Sequence, residues 1–314
     1  MKQINHQVAS SKCQVSRLAT CYLLLVTCSL LLAACTSVIQ VSVPNGSQLL
    51  VVDAFLDNSY TPQKVRLTFN ASYFSNVPTP PVLGATVSLS DLTNSKTYTF
   101  TPDGNGNYIY YPIFNDSMTQ VHHKYQLTIS YNNNTYTALS TLNRTTPVDS
   151  IIFRNSGRDE KGTDPPSDTT KPRKFFPLVI AKDSTGKTPD YYWMKVFNNG
   201  AFYNQSSQIN AFQDGGYQGT DGYPFLPPVA FFGLTNDNNP IYRNDVCTVE
   251  IYSINENTLS YLGQLRTQLT NSQNGLFAVT PQNVKTNIQQ VSGTLPASGW
   301  FNIGAISSKS AIAK

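Results

Sequence analysis

Charged residues are scarce in this chain, and glutamate is almost absent. Only 13% of the 314 residues are Asp, Glu, Lys or Arg, and the only glutamates are Glu160, Glu250 and Glu256. Because Glu favours helices and is depleted from strands, this scarcity argues against a largely helical protein. The abundant Tyr, Phe, Thr and Ser favour β structure, and the aromatic content argues against disorder.

Residues that usually carry catalysis are also rare. His122 and His123 are adjacent, and neighbouring residues in a strand point to opposite faces, so we expect a solvated pair that does not chelate one metal ion. No nucleophile elbow, phosphate loop or HExxH motif is present. The sequence therefore predicts no enzyme, catalytic residue, metal site or cofactor, with an unrecognised hydrolase as an alternative.

The N-terminal segment has the features of a bacterial export signal. Basic residues precede an apolar stretch over about 22–32, which is too short for a comfortable transmembrane helix. The segment ends Leu32-Ala33-Ala34-Cys35, which resembles the lipobox. That resemblance implies cleavage between Ala34 and Cys35 and acylation of Cys35 with palmitate-like chains. An ordinary signal that leaves Cys35 free is the alternative.

Removal of residues 1–34 has two consequences. Three basic residues and three of the five cysteines leave with the signal, so the mature chain is nearly neutral and predicts no nucleic-acid partner. Cys247 then has no disulfide partner, and we interpret it as a buried small hydrophobic residue.

Thr36-Ser37 follows the lipid site without aspartate, which by resemblance to sorted lipoproteins favours the outer membrane. Whether the protein faces the periplasm or the cell surface stays open.

The mature sequence predicts an all-β fold. A lipidated tether covers 35–46, and alternating apolar and polar residues then predict consecutive strands over 47–145. Short strands joined by turn-forming sequences favour an immunoglobulin-like or transthyretin-like sandwich. Residues 146–314 form a predicted second β-rich domain, with strands near 176–181, 191–197, 229–232, 246–254 and 300–306 and a loop over 154–174.

One short helix is predicted near 254–270. Ser253 and Glu256 have the spacing of a capping box, with Ser253 as the N-cap. The side chains of Leu259, Leu262, Leu265 and Leu269 would then share one face against a sheet.

Aromatic residues supply the strongest indication of binding. Tyr217, Tyr223 and Phe225 lie in a Gly/Pro-rich segment, and Trp193 lies in a predicted strand. They would stack on a glycan or a peptide, while the competing interpretation is core packing.

Thr169, within Asp168-Thr169-Thr170, resembles a Bacteroidota O-glycosylation site. Asp103-Gly104-Asn105-Gly106-Asn107 resembles the start of a calcium loop but is interpreted as a hairpin turn.

The order of several motifs resembles the domain of unknown function 4249 family, lipoproteins of Bacteroidota. The matching segments are Leu49–Val52, Gly84–Val87, Gly106–Tyr108, Tyr125–Ile129, Thr146–Ile151, Tyr261–Leu262, Asn283–Ile288 and Gly299–Phe301. The resemblance implies a non-catalytic envelope protein that accompanies a TonB-dependent outer-membrane transporter. Direct binding of a glycan or peptide is the alternative function.

Overall fold

The computed structural model describes eight stretches of the chain. These are residues 47–71, 77–113, 118–155, 174–183, 189–205, 209–214, 239–271 and 282–314. They belong to one compact unit, Ser47–Lys314. The predicted strand at 229–232 and almost all of the predicted loop at 154–174 lie outside these residues.

Strands account for most of the described secondary structure, which confirms the all-β prediction. The first eight strands are β1 (Leu50–Asp57), β2 (Gln63–Phe69), β3 (Thr86–Asp91), β4 (Lys96–Pro102), β5 (Asn107–Tyr110), β6 (Lys124–Tyr131), β7 (Asn134–Thr141) and β8 (Val148–Asn155). The next five are β9 (Phe175–Ala181), β10 (Tyr191–Asn198), β11 (Ala201–Phe202), β12 (Asn210–Gln213) and β13 (Val246–Ile254). They are followed by helix α1 (Glu256–Thr270) and by β14 (Gln289–Ser292), β15 (Ala297–Gly304) and β16 (Ile306–Ile312).

Within the described residues, nine strands form one sheet in the order β14-β7-β6-β3-β4-β5-β2-β1-β15. Its two halves share one apolar core, because Leu50 and Leu67 from one half pack in the same cluster as Leu89 and Leu127 from the other. Strand β15, at one end of this order, also approaches β7 near the other end, since the Ile303 backbone N–H donates to Ser140 Oγ at 3.2 Å. The specific immunoglobulin-like or transthyretin-like form stays a prediction.

Strand β15, from the predicted second domain, pairs in parallel with β1 along its whole length, from Leu50 with Ala297 to Asp57 with Gly304. Gly299 makes this pairing possible. It has φ +101°, and a Cβ there would lie 1.9 Å from Val52 O. Only glycine fits this combination of positive φ and close backbone approach.

A second, five-stranded sheet lies in the described residues, with order β11-β10-β13-β16 and with β12 also paired to β10. Strands β8 and β9 form a separate antiparallel pair. Tyr192, Met194 and Val196 from β10 pack with Val249 and Ile251 from β13 in a second apolar core. Cys247 also belongs to this core and is fully buried, as its interpretation requires.

Helix α1 occupies almost the range predicted for it, but its N-cap is Asn255 and not Ser253. Asn255 Oδ1 accepts a hydrogen bond from the Thr258 backbone N–H at 2.8 Å. The capping-box prediction was wrong because β13 continues to Ile254 and keeps Ser253 in its ladder with Tyr192. Ser253 Oγ instead donates to Asn143 O at 2.6 Å.

The predicted leucine face is only partly buried. Leu262 is 1% exposed, whereas Leu269 is 52% exposed. The single final strand predicted at 300–306 is two strands, because β15 ends at Gly304 and β16 begins at Ile306.

A buried polar network connects α1 to β15 and β13. Trp300 Nε1 donates to Thr258 Oγ1 at 2.9 Å, and Thr258 Oγ1 donates to Asn302 Oδ1 at 2.9 Å. Asn302 Nδ2 in turn donates to the Tyr252 hydroxyl at 3.0 Å. Tyr261 of the helix stacks on Trp300 with ring centroids 4.6 Å apart. The network fixes the helix through directional bonds as well as through its leucines.

Candidate functional site

Three aspartates meet at one end of the second sheet. Asp183 follows β9, Asp190 precedes β10 and Asp214 follows β12. One carboxylate oxygen from each lies within 4.8 Å of the others. Part of the reason is strand pairing: Tyr191 lies opposite Gln213 in the antiparallel pair of β10 and β12, so the residues flanking that pair are neighbours. We call Asp183, Asp190 and Asp214 the aspartate cluster.

The aspartate cluster is buried, and Arg144 lies beside it. Its members are 5%, 8% and 9% exposed, respectively. Arg144 donates two hydrogen bonds to Asp190 Oδ2, from Nε at 2.9 Å and from Nη2 at 2.6 Å. The Tyr192 hydroxyl donates to Asp183 Oδ1 at 2.8 Å. Asp190 and Asp183 therefore each have a strong donor.

Asp214 differs from the other two members. Its Oδ1 is buried and has no hydrogen-bond partner among the residues that the structure describes, although its backbone N–H donates to Asp190 O at 2.9 Å. Burial raises the pKa of Asp214; a hydrogen bond from the Asp190 backbone opposes the rise, and the Asp183 and Asp190 carboxylates add to it. This carboxyl group thus lies in an electronegative environment that a proton or a cation would relieve.

Carboxylate oxygens in this arrangement are the ligands that hard cations prefer. They also resemble pairs of carboxyl groups that share a proton. No local sequence pattern singles out these residues, since they lie in three separate segments at strand ends and the pairing of β10 with β12 brings Asp190 and Asp214 together.

Most of the site residues predicted from the sequence lie outside the described residues. They are Ala34, Cys35, Thr169, Tyr217, Tyr223 and Phe225. Trp193 is described and lies in an aromatic cluster, edge-on to Phe55 with ring centroids 5.2 Å apart. Lys195 Nζ lies 4.5 Å from the centre of the Trp193 ring. The role predicted for these aromatic residues in binding a glycan or peptide stays a prediction.

Two smaller predictions have clear outcomes. His123 is not simply solvated, because its Nδ1 lies 2.7 Å from Oδ2 of Asp91, which is 1% exposed. Asp103 caps a hairpin turn as predicted: its Oδ1 accepts from the Asn105 backbone N–H at 2.7 Å, and its Oδ2 accepts from Asn107 Nδ2 at 2.7 Å. The turn's carboxylate is therefore already occupied by local donors.

Comparison with known proteins identifies the family. The model of the family described as "Domain of unknown function (DUF4249)" matches residues 36–310, so the chain belongs to that family. No curated protein and no solved structure matches the chain. Among the residues that the structure describes, no helix is long and apolar enough to cross a membrane.

Proposed function

We propose that this protein is a lipid-anchored lipoprotein of the outer membrane with a non-catalytic, accessory role beside a TonB-dependent transporter. The observation that carries the proposal is the sequence Leu32-Ala33-Ala34-Cys35, which follows basic residues and an apolar run. Small residues directly before a cysteine are what lipoprotein processing requires. Membership of a family of unknown function adds no activity to the proposal.

Acylation of Cys35 would be sufficient to hold a folded domain at the membrane. Each acyl CH₂ buried in the bilayer contributes about 0.8 kcal/mol, so two or three chains on Cys35 anchor a folded domain stably where one does not. A fully extended chain spans at most about 3.5 Å per residue, so the tether over 35–46 keeps the folded unit within about 40 Å of the bilayer surface. A partner of this protein is therefore expected at or in the same membrane.

An exposed apolar surface supports an accessory role. Tyr60, in the connection between β1 and β2, is 55% exposed, while Tyr111 and Ile113, just after β5, are 63% and 66% exposed. They lie at the same end of the large sheet because Gln63 pairs with Tyr110. Exposed apolar groups that lie together are common at protein contacts.

The anchor is tested by comparing wild type with Cys35→Ser. We expect wild type in the outer-membrane fraction with fatty-acid adducts at Cys35 by mass spectrometry, and the variant without adducts and without membrane retention. Cys28→Ser, the same substitution inside the apolar run, is the control and should be processed normally. A wild-type protein that lacks acyl groups and is released by osmotic shock would contradict the proposal. For a protein that is acylated as expected, protease accessibility on intact cells would show which face of the outer membrane it occupies.

The accessory role is tested by co-purification after mild detergent extraction and cross-linking. We expect a transporter of the outer membrane to be recovered with wild type, and its recovery to fall several-fold with Tyr111→Ser and Ile113→Ser combined. Ile312→Ser is the control, because Ile312 is 51% exposed on β16. Recovery of the wild type only as a lone monomer would exclude a stable partner.

A further inference from the structure

A cavity lies against the outer side of helix α1. Its volume is about 500 Å³, and small-molecule sites commonly measure about 300–1,000 Å³. Gly263, Gln264, Thr267 and Gln268 form the helical wall, and residues 282–284 form the opposite wall. The spacing of the four helical residues places them on the side of α1 that is opposite the buried Leu262. We call this cavity the amide pocket.

Two hydrogen bonds between side chain and backbone fix the width of the amide pocket. Gln264 Oε1 accepts from the Lys285 backbone N–H at 3.2 Å. Gln268 Oε1 accepts from the Gln282 backbone N–H at 3.3 Å. Both bonds join the helix to the opposite wall, so the two glutamine side chains are oriented before any ligand binds. Such pre-organisation reduces the entropic cost of binding.

Gly263 keeps the amide pocket open. Glycine weakens the interior of a helix, and close packing does not require it here, because a Cβ at this position would have no heavy atom of the described residues within 4 Å. Gly263 lines the pocket, so a larger side chain would occupy its space. The cost of this glycine to the helix is therefore matched by the volume that it leaves free.

The lining side chains favour a neutral ligand that is rich in hydroxyl groups. They are amides, one hydroxyl and one aliphatic group, so an ionic ligand would find no opposite charge among them. The amides of Gln282 and Asn283, and Nε2 of Gln268, make no hydrogen bond within the described part of the chain. The Thr267 hydroxyl donates to Gly263 O at 2.9 Å, which leaves its lone pairs to accept.

We propose that the amide pocket binds a small neutral saccharide. A polar cavity of this volume holds about 15 water molecules at about 30 Å³ each, and sugar hydroxyls would replace some of them on the free amide groups. Each hydroxyl both donates and accepts, whereas a peptide main chain offers one donor and one acceptor per residue. The proposal does not rest on the lipid anchor, because the processed protein can be tested whether or not it is acylated.

The first test uses saturation-transfer NMR on the full-length processed protein, in a nonionic detergent without a sugar headgroup. The probes are maltose, cellobiose and lactose, with glucuronic acid and an uncharged capped tripeptide for comparison. We expect transfer to at least one of the three disaccharides. Gly263→Leu should weaken that binding at least about tenfold, because leucine fills the pocket.

The Gly263→Leu variant is expected to fold, because leucine favours helix and meets no neighbouring atom at its Cβ. A thermal melt with a Tm no lower than that of wild type checks this expectation. Asn257→Leu is the matched control, since Asn257 is exposed on the same helix and outside the lining of the pocket. It should bind the disaccharide as wild type does.

The second test replaces one donor without disturbing the walls. Gln268→Glu keeps an oxygen for the Gln282 backbone N–H and exchanges the amide NH₂ for an acceptor, so affinity for the disaccharide should fall about fivefold to tenfold. Gln120→Glu, at an exposed glutamine between β5 and β6, is its control and should leave the affinity unchanged.

Three results would overturn the proposal. One is a wild type that binds none of the disaccharides, and another is a Gly263→Leu variant that folds and binds them as wild type does. The third is tighter binding of glucuronic acid or of the capped tripeptide than of any disaccharide, lost in Gly263→Leu. That result would assign the pocket to an anion or to a peptide main chain instead.

Discussion

Replacement of Thr258 by valine isolates the hydroxyl that joins helix α1 to the large sheet. Thr258 is fully buried, and valine keeps its shape and β-branching. The change leaves the Trp300 Nε1–H, which donates to Thr258 at 2.9 Å, without a partner. An unsatisfied buried donor costs about 1–3 kcal/mol, and the lost bond to Asn302 adds about 1 kcal/mol. We therefore expect the free energy of unfolding to fall by about 2–4 kcal/mol.

Urea denaturation followed by tryptophan fluorescence measures this loss. Thr267→Val is the matched control, because Thr267 is exposed on the same helix and its hydroxyl donates only to Gly263 O at 2.9 Å. An exposed substitution of this kind should change stability by about 0.5 kcal/mol or less. The comparison removes the helix-propensity difference between threonine and valine, which is the same at both positions.

A double-mutant cycle with Trp300→Phe separates the hydrogen bond from packing. Phenylalanine has no side-chain N–H, so the double variant has no buried donor without a partner. Its loss in free energy of unfolding should therefore be smaller than the sum of the two single losses by about 1 kcal/mol. The reasoning is refuted if Thr258→Val costs no more than Thr267→Val, or if the two substitutions are additive.

Two further predictions concern backbone strain and acid stability. Gly299→Ala should lower the free energy of unfolding by at least about 2 kcal/mol, because a Cβ at φ +101° would meet Val52 O. Gly263→Ala, in open space on the helix, should raise it by about 0.5–1 kcal/mol. Burial alone would raise the pKa of Asp91, but hydrogen bonds from His123 and the backbone hold it below its usual 3.8. The ionised Asp91 carboxylate therefore stabilises the fold above pH 3.8, and this stabilisation is lost as the pH falls through the lower pKa of the folded state. Asp91→Asn should therefore weaken the acid dependence of the free energy of unfolding.

Chemical denaturation of the glycine pair, and pH titration of stability between about pH 5 and pH 2 for Asp91, measure these effects. Equal costs for Gly299→Ala and Gly263→Ala would contradict the close-approach argument. An acid dependence unchanged by Asp91→Asn would show that the carboxylate contributes nothing to it.

Local patterns in the sequence predicted local structure well. Val65 and Leu67 are fully buried while Lys64 and Arg66, which alternate with them, are exposed, as the pattern indicates. The helix range was also predictable, since its apolar spacing depends on neighbours three and four residues apart. Its N-cap was not, because Ser253 is held in a strand whose partner lies far away in the chain.

Long-range pairing was not predictable from the same patterns. The apolar alternation of β1 indicates a buried face but does not indicate which strand lies beside it. Its parallel partner β15 comes from the far end of the chain, and the glycine that permits the contact, Gly299, has no local turn signature. The aspartate cluster depends on the same kind of information, since each aspartate alone looks like an ordinary polar residue at a strand end.

The pairing of β1 with β15 also determines when β1 can complete its hydrogen bonding during synthesis of the chain. One edge of β1 is paired only by residues 297–304, which are synthesised long after β1, so a nascent chain presents that edge uncovered. Such dependence on distant residues slows folding and leaves unpaired backbone open to other strands. A truncation that removes β15 and β16 should therefore damage β1 most, and the chain should be safest when it is kept unfolded until these strands are available.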